Sequence, residues 1–131
     1  MKYLKIFETR EDYNDYNGCT SLVTAPELPA TTLASSCYYK MFNLCKCITE
    51  SPILSAPILV TNCYLDMFTN CNNLTKITML ATDISAFQCV YNMSYKTNIT
   101  LYKHPNLNEE SLRRKIGSYA DEWVIQDYVE S

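Results

Sequence analysis

The sequence predicts a single-domain α/β solenoid: three stacked 26-residue strand-turn-helix units over residues 18–95, an N-terminal cap over 1–17 and a C-terminal cap over 96–131. Three observations predict it. One fixed period runs through the middle of the chain. Each period holds a short alternating stretch followed by a longer amphipathic one. Charge is concentrated at the two ends.

The period comes first, because self-similarity at a fixed step marks stacked architectures. Cys19, Cys45 and Cys71 lie 26 apart, as do Leu22, Ile48 and Leu74. Leu28, Leu54 and Leu80, then Cys37, Cys63 and Cys89, then Met41, Met67 and Met93 repeat the same step. Pro26 pairs with Pro52, Leu33 with Leu59 and Phe42 with Phe68. The third unit departs from the pattern, with Thr78, Ser85 and Ser94 where the earlier units have proline, leucine and phenylalanine.

Within a unit, Leu22-Val-Thr-Ala-Pro-Glu-Leu28 alternates apolar and polar positions, which predicts a short strand. Thr32 to Leu44 places Leu33, Cys37, Met41 and Leu44 on one helical face, with Thr31 or Thr32 as N-cap. One such unit cannot bury its own apolar side, so neighbours must stack, their strands pairing in parallel. The flanks carry the charge: 8 of the 84 residues from Gly18 to Leu101 are charged, against 7 of the first 17 and 10 of the last 30. Solvent-facing caps require that contrast. Thr9-Arg-Glu-Asp12 has the form of a capping box opening a short helix through Asp15-Tyr16. Asn108 is suited to cap a helix through Ile116 that Gly117 stops, and Trp123 to Tyr128 alternates like a final strand.

Composition narrows function mainly by exclusion. A net charge of −3 offers no electrostatic footprint for nucleic acid. No apolar run reaches the length of a membrane span. With only 2 Gly in 131 residues, a hairpin-rich barrel is disfavoured, because its tight turns need positive φ. The opening Met1-Lys-Tyr-Leu-Lys-Ile-Phe is broken by Lys5 and followed by acidic residues, so it lacks the apolar core of a signal peptide. That predicts synthesis in the cytoplasm, in a reducing environment, with a virion as a further destination under the resemblance given below.

Met41-Phe-Asn-Leu-Cys45-Lys-Cys-Ile48 and Met67-Phe-Thr-Asn-Cys71-Asn-Asn-Leu74 resemble the [AM]-F-x-x-C-x-x-L core of BspA-like leucine-rich repeats, and Ala25-Pro-Glu-Leu-Pro-Ala-Thr-Thr-Leu33 is similar to the longer variant found in gut Bacteroides and their phages. The resemblance covers residues 18 to 95 and implies a leucine-rich-repeat-like stack. Lys2-Tyr-Leu-Lys-Ile-Phe-Glu-Thr-Arg-Glu-Asp-Tyr13 is similar to an N-terminal segment of phage and prophage proteins, which implies a virion structural or decoration component of the head-fibre kind. The family motif holds no catalytic residues, so none are carried over. The missing signal peptide departs from the secreted surface members.

Cys45-x-Cys47 with Cys71 is the best metal arrangement, but six of the seven cysteines are periodic, in two ladders of one per unit, which favours buried structural thiols. An odd cysteine count without a secretion signal disfavours a disulfide framework. His104, the only histidine, lies in a polar connection with no orienting partner in view. Glu109-Glu110 opens a helix, where acidic residues complement the dipole. Lys103 and Arg113-Arg-Lys115 are interleaved with acidic residues and read as a solvated face. The sequons at Asn73, Asn92 and Asn98 carry no weight without secretion. Tyrosine is the feature that leans towards binding: Tyr38, Tyr39, Tyr64, Tyr91 and Tyr95 recur along the second part of the units and are the candidate protein-binding residues. The expectation is a non-catalytic interaction protein with no cofactor or metal. Its partner is a protein or a second copy of itself. The alternatives are an inhibitor directed at a bacterial host protein and a fragment of a surface adhesin.

Overall fold

The structure, a computed structural model, describes Phe7–Glu8 and residues 16–130. Six strands form two parallel sheets. β1 (Phe7–Glu8) pairs with β2 (Thr32–Leu33). β3 (Glu50–Leu54), β4 (Lys76–Met79), β5 (Thr100–Lys103) and β6 (Val124–Asp127) lie side by side in that order. One α-helix, α1 (Glu109–Ile116), and a 3-10 helix (Ser118–Glu122) sit between β5 and β6. The capping box at Thr9–Asp12 and most of the short helix expected after it fall outside the described residues.

The predicted strand-turn-helix solenoid of three units is not what forms. The stretches read as helices are runs of consecutive tight turns, and α1, eight residues long, is the only α-helix among the described residues. The apolar positions Leu33, Cys37, Met41 and Cys45 recur every four residues, whereas an α-helix turns in 3.6. Each such step therefore overshoots by roughly 40°, and three steps carry a side chain about a third of the way round the axis. The intervening Ser, Tyr, Asn and Thr residues add little helix propensity.

A four-residue turn fits the pattern instead. The N–H groups of Cys37, Met41 and Cys45 return to the carbonyls of Ala34, Tyr38 and Phe42 at 3.0–3.1 Å. Each turn closes on a residue in the left-handed region: Ser36, Lys40 and Leu44, then Asn62, Asp66 and Asn70, then Gln88 and Asn92. The alternate N–H groups point along the stack. Ser36, Tyr38, Lys40, Phe42 and Leu44 donate to Thr61, Cys63, Leu65, Met67 and Thr69, all at 3.0–3.1 Å. Asn62, Tyr64, Asp66 and Phe68 donate in turn to Phe87, Cys89, Tyr91 and Met93. Backbone groups buried in a turn-only region thereby find partners without a helix.

The strand reading holds in part. Two of the three predicted strands form, as β3 within Ile48–Leu54 and β4 within Leu74–Leu80; Leu22–Leu28 is not a strand. Proline alone does not decide the difference, since Pro52 stands at the equivalent place within β3, where the register with β4 is interrupted between Glu50 and Ile53. The sheet then runs on through the region predicted as a cap, with Lys76 opposite Thr100 and Thr100 opposite Val124. The helix of that region is as expected. Asn108 Oδ1 accepts from Ser111 N at 2.8 Å, and Gly117, at φ +110°, donates its N–H to the Arg113 carbonyl.

The core lies between the sheet and the turn runs. Every turn turns two neighbouring residues inward: Cys37-Tyr38, Met41-Phe42, Cys63-Tyr64, Met67-Phe68, Cys89-Val90 and Met93-Ser94 are all buried. Equivalent rings stack on one another, Tyr16 on Phe42 at 5.5 Å, Phe42 on Phe68 at 5.6 Å and Tyr38 on Tyr64 at 6.0 Å. Such pairs contribute about 0.5–1.5 kcal/mol each beyond the area they bury. Trp123, 2% exposed, closes the far end and donates Nε1–H to the Lys96 carbonyl at 2.7 Å.

Candidate interaction surface

The turn runs decide which tyrosines can meet a partner. With two residues of every four directed inward, Tyr38 and Tyr64 belong to the interior and are 1% exposed. They stack on each other and offer no surface. Tyr39 and Tyr91 occupy the first outward position of the turns that follow, 52 residues apart, with Leu65 at the equivalent place between them. Tyr39 is half-buried with Lys40 Nζ 5.3 Å above its ring; Tyr91 is exposed. Tyr95, in the position held by Asn43 and Thr69 in the earlier runs, is exposed as well.

Tyr119, from the 3-10 helix, packs against Tyr95 with ring centroids 5.1 Å apart. Gly117 brings that helix close. A methyl group at its α-carbon would lie 3.5 Å from Cε1 of Tyr91 and 3.6 Å from Oδ1 of Asn92, at a φ that side chains rarely adopt. The result is one exposed group of three phenol rings, Tyr91, Tyr95 and Tyr119. Sequence reasoning missed Tyr119, because nothing in Ser118-Tyr-Ala-Asp signals that it returns to Tyr95.

The polar centre of this surface is Asp66. Its carboxyl lies beside Tyr95 and the Lys40 ammonium, while Oδ1 is buried with no hydrogen-bond partner. Partial burial lifts the Asp66 carboxyl above its ordinary value, against the lowering influence of Lys40 and Tyr95. Partial burial, then the Asp66 and Tyr119 charges, pushes the Tyr95 phenol up. The surface therefore sets phenol rings around one partly buried carboxyl group.

Other candidates separate when placed in space. The Cys45 thiol is buried and donates to the Tyr16 carbonyl at 3.0 Å, Cys71 donates to the Phe42 carbonyl at 2.9 Å, and Cys47 is exposed. These three sulfurs do not converge, and among the described residues no group of three His, Cys, Asp or Glu side chains is placed to hold a metal. Burial raises the Cys45 thiol to about 11 and Cys71 to about 12, which suppresses the reactive thiolate. His104 Nδ1 accepts from the Asn106 N–H at 3.0 Å, so that ring shapes a turn. Glu109 bonds Arg113 Nη2 at 2.8 Å. The basic residues disperse: Lys103 is buried against Asp127 at 2.6 Å, Arg113 Nη1 holds the Ala120 and Trp123 carbonyls, and Lys115 holds those of Ser85 and Ala86.

No helix of the described residues is long and apolar enough to cross a membrane. No family model, no curated protein and no solved structure matches the chain.

Proposed function

We propose that this chain is a non-catalytic protein-interaction module whose contact surface is the exposed tyrosine group of the turn face. One observation carries the reading: Tyr91, Tyr95 and Tyr119 stand exposed within one patch, Tyr119 packed on Tyr95 and Gly117 set against Tyr91. Tyrosine is enriched at protein interfaces because a rigid ring supplies contact area while its hydroxyl finds a polar partner. In its finer form the partner is another component of a phage particle, as the likeness of Lys2–Tyr13 to phage proteins implies. That form predicts the chain among the proteins of purified particles by mass spectrometry, and its absence there removes it.

The surface is tested by affinity capture with the intact chain and with a Tyr91→Ser, Tyr95→Ser, Tyr119→Ser variant of matched thermal stability. A partner held by the first and lost by the second supports the assignment, with each central tyrosine expected to contribute ~2 kcal/mol, roughly 30-fold in Kd. A partner held equally by both rules this surface out.

A further inference from the structure

β6 is the outermost strand of the four-stranded sheet. The N–H groups of Val124 and Tyr128 donate to the Ile99 and Lys103 carbonyls of the β5 side at 3.0 and 2.7 Å. Backbone direction alternates along a strand, so residues 124, 126 and 128 face β5 and the N–H and C=O groups of Ile125 and Asp127 face outward. Just upstream, the Trp123 carbonyl is taken by Arg113 Nη1 at 2.8 Å, so the open stretch begins at Ile125. Among the described residues no hydrogen bond reaches this edge from outside.

Sheet edges are ordinarily guarded by lysine, proline or a bulge. β6 has none of these: its sequence is Val-Ile-Gln-Asp and its register with β5 is unbroken. Its single charge, Asp127, is engaged by Lys103. Val124 is 50% exposed and Val129, just beyond, 81%.

We propose that this edge pairs with the same edge of a second copy, antiparallel, on a two-fold axis through Gln126. In that register Ile125 and the partner's Asp127 exchange both N–H···O=C bonds, and symmetry repeats the exchange. Gln126 meets the partner's Gln126 in the close, non-hydrogen-bonded position, where each amide offers both a donor and an acceptor. Val124 meets the partner's Tyr128, an aliphatic-aromatic cross-strand pair of the favourable kind. No like charges face each other within the strand, and Glu122 belongs to the 3-10 helix rather than to the extended stretch. The joint lies apart from the tyrosine face and stands or falls independently of it.

The test is sedimentation velocity of the full chain over a wide concentration range. A monomer–dimer equilibrium is expected for the natural sequence. Gln126→Lys, at an exposed position, sets two ammonium groups opposite each other and raises the dimer Kd roughly tenfold or more. Mixing it with Gln126→Glu restores the dimer. In a Cys47→Ser background, mild oxidation of Gln126→Cys yields a disulfide-linked dimer, since α-carbons of that pair type lie about 4.5 Å apart. Val124→Cys, displaced from its own copy by about 13 Å along the strand, yields none. A monomer at every concentration, a dimer indifferent to Gln126→Lys, or equal cross-linking at 124 and 126 overturns the proposal.

Discussion

Eight residues other than glycine hold positive φ among the described residues, and five of them are asparagine or aspartate or its amide homologue glutamine. Asparagine and aspartate tolerate this region because their short polar chains satisfy the local backbone; most residues lose about 1–2 kcal/mol there. Leu44, at φ +67° and 37% exposed, is the outlier. Its equivalent in the next run is Asn70. Leu44→Asn is therefore expected to stabilise the fold by ~0.5 kcal/mol net of lost packing, and Asn70→Val to destabilise it by about 1–2 kcal/mol, both by urea denaturation. Asp66 supplies a pH-dependent counterpart. Its proton is held more tightly in the folded state than in the unfolded chain, so its share of stability is greatest below the ordinary carboxyl value of 3.8 and is lost as pH rises through the folded value. Asp66→Asn removes that loss. The variant is expected to gain ~0.5 kcal/mol at neutral pH, after allowance for solvent screening, and nothing near pH 3. The inward cysteines and methionines were legible from their 26-residue recurrence, whereas Tyr38 and Tyr64, which recur at the same step, read as binding residues and lie in the interior. The turn-closing residues were not, because the usual flag for positive φ is glycine and this chain has only 2.

For the elements, the lesson is a difference of four-tenths of a residue. Leu33, Cys37 and Met41 satisfy an i, i+4 template as well as a four-residue turn does, and three positions are too few to separate the two periods. Elements with their own local signal were read correctly: α1 carries both its Asn108 cap and its Gly117 stop, and β6 alternates. β5 was missed although Ile99-Thr-Leu-Tyr-Lys103 alternates plainly, because it lies 24 residues after β4 rather than 26. That strand holds its neighbour through Lys103, whose side chain is 8% exposed and bonded to Asp127 at 2.6 Å. Asp127→Asn leaves the ammonium facing a neutral amide and the His104 carbonyl, a poor substitute for a carboxylate. A loss of about 1–3 kcal/mol is expected, read as a lower Tm in a thermal melt at neutral pH.

Across the whole molecule, the sequence period survives as the step at which the bonds joining one turn run to the next recur: Tyr38 to Cys63 is repeated 26 residues on as Tyr64 to Cys89, and Phe42 to Met67 as Phe68 to Met93. Structures built from such nearest-neighbour contacts tolerate removal of a whole period better than of part of one. Deleting residues 45–70 joins Leu44 to Cys71 and presents each remaining run with an equivalent neighbour. That variant is expected to melt cooperatively with Tm lower by roughly 5–15 °C. Deleting residues 45–66, out of step, is expected to abolish the near-ultraviolet circular dichroism of the stacked rings. The period was visible in the sequence; the way it is spent, on turns and not on helices, required the geometry.

The alternation of those bonds also governs how the molecule comes apart. In the first two runs every second amide is satisfied by its own turn and every other one by the adjacent run, so the inner run is shielded while both neighbours are in place. Opening must start at an end and travel inward like a zipper, with each run released exposing the acceptors of the next. A protease therefore finds its first cuts at the extremities of the stack, and an interior cut would leave its fragments clasped by the runs on either side.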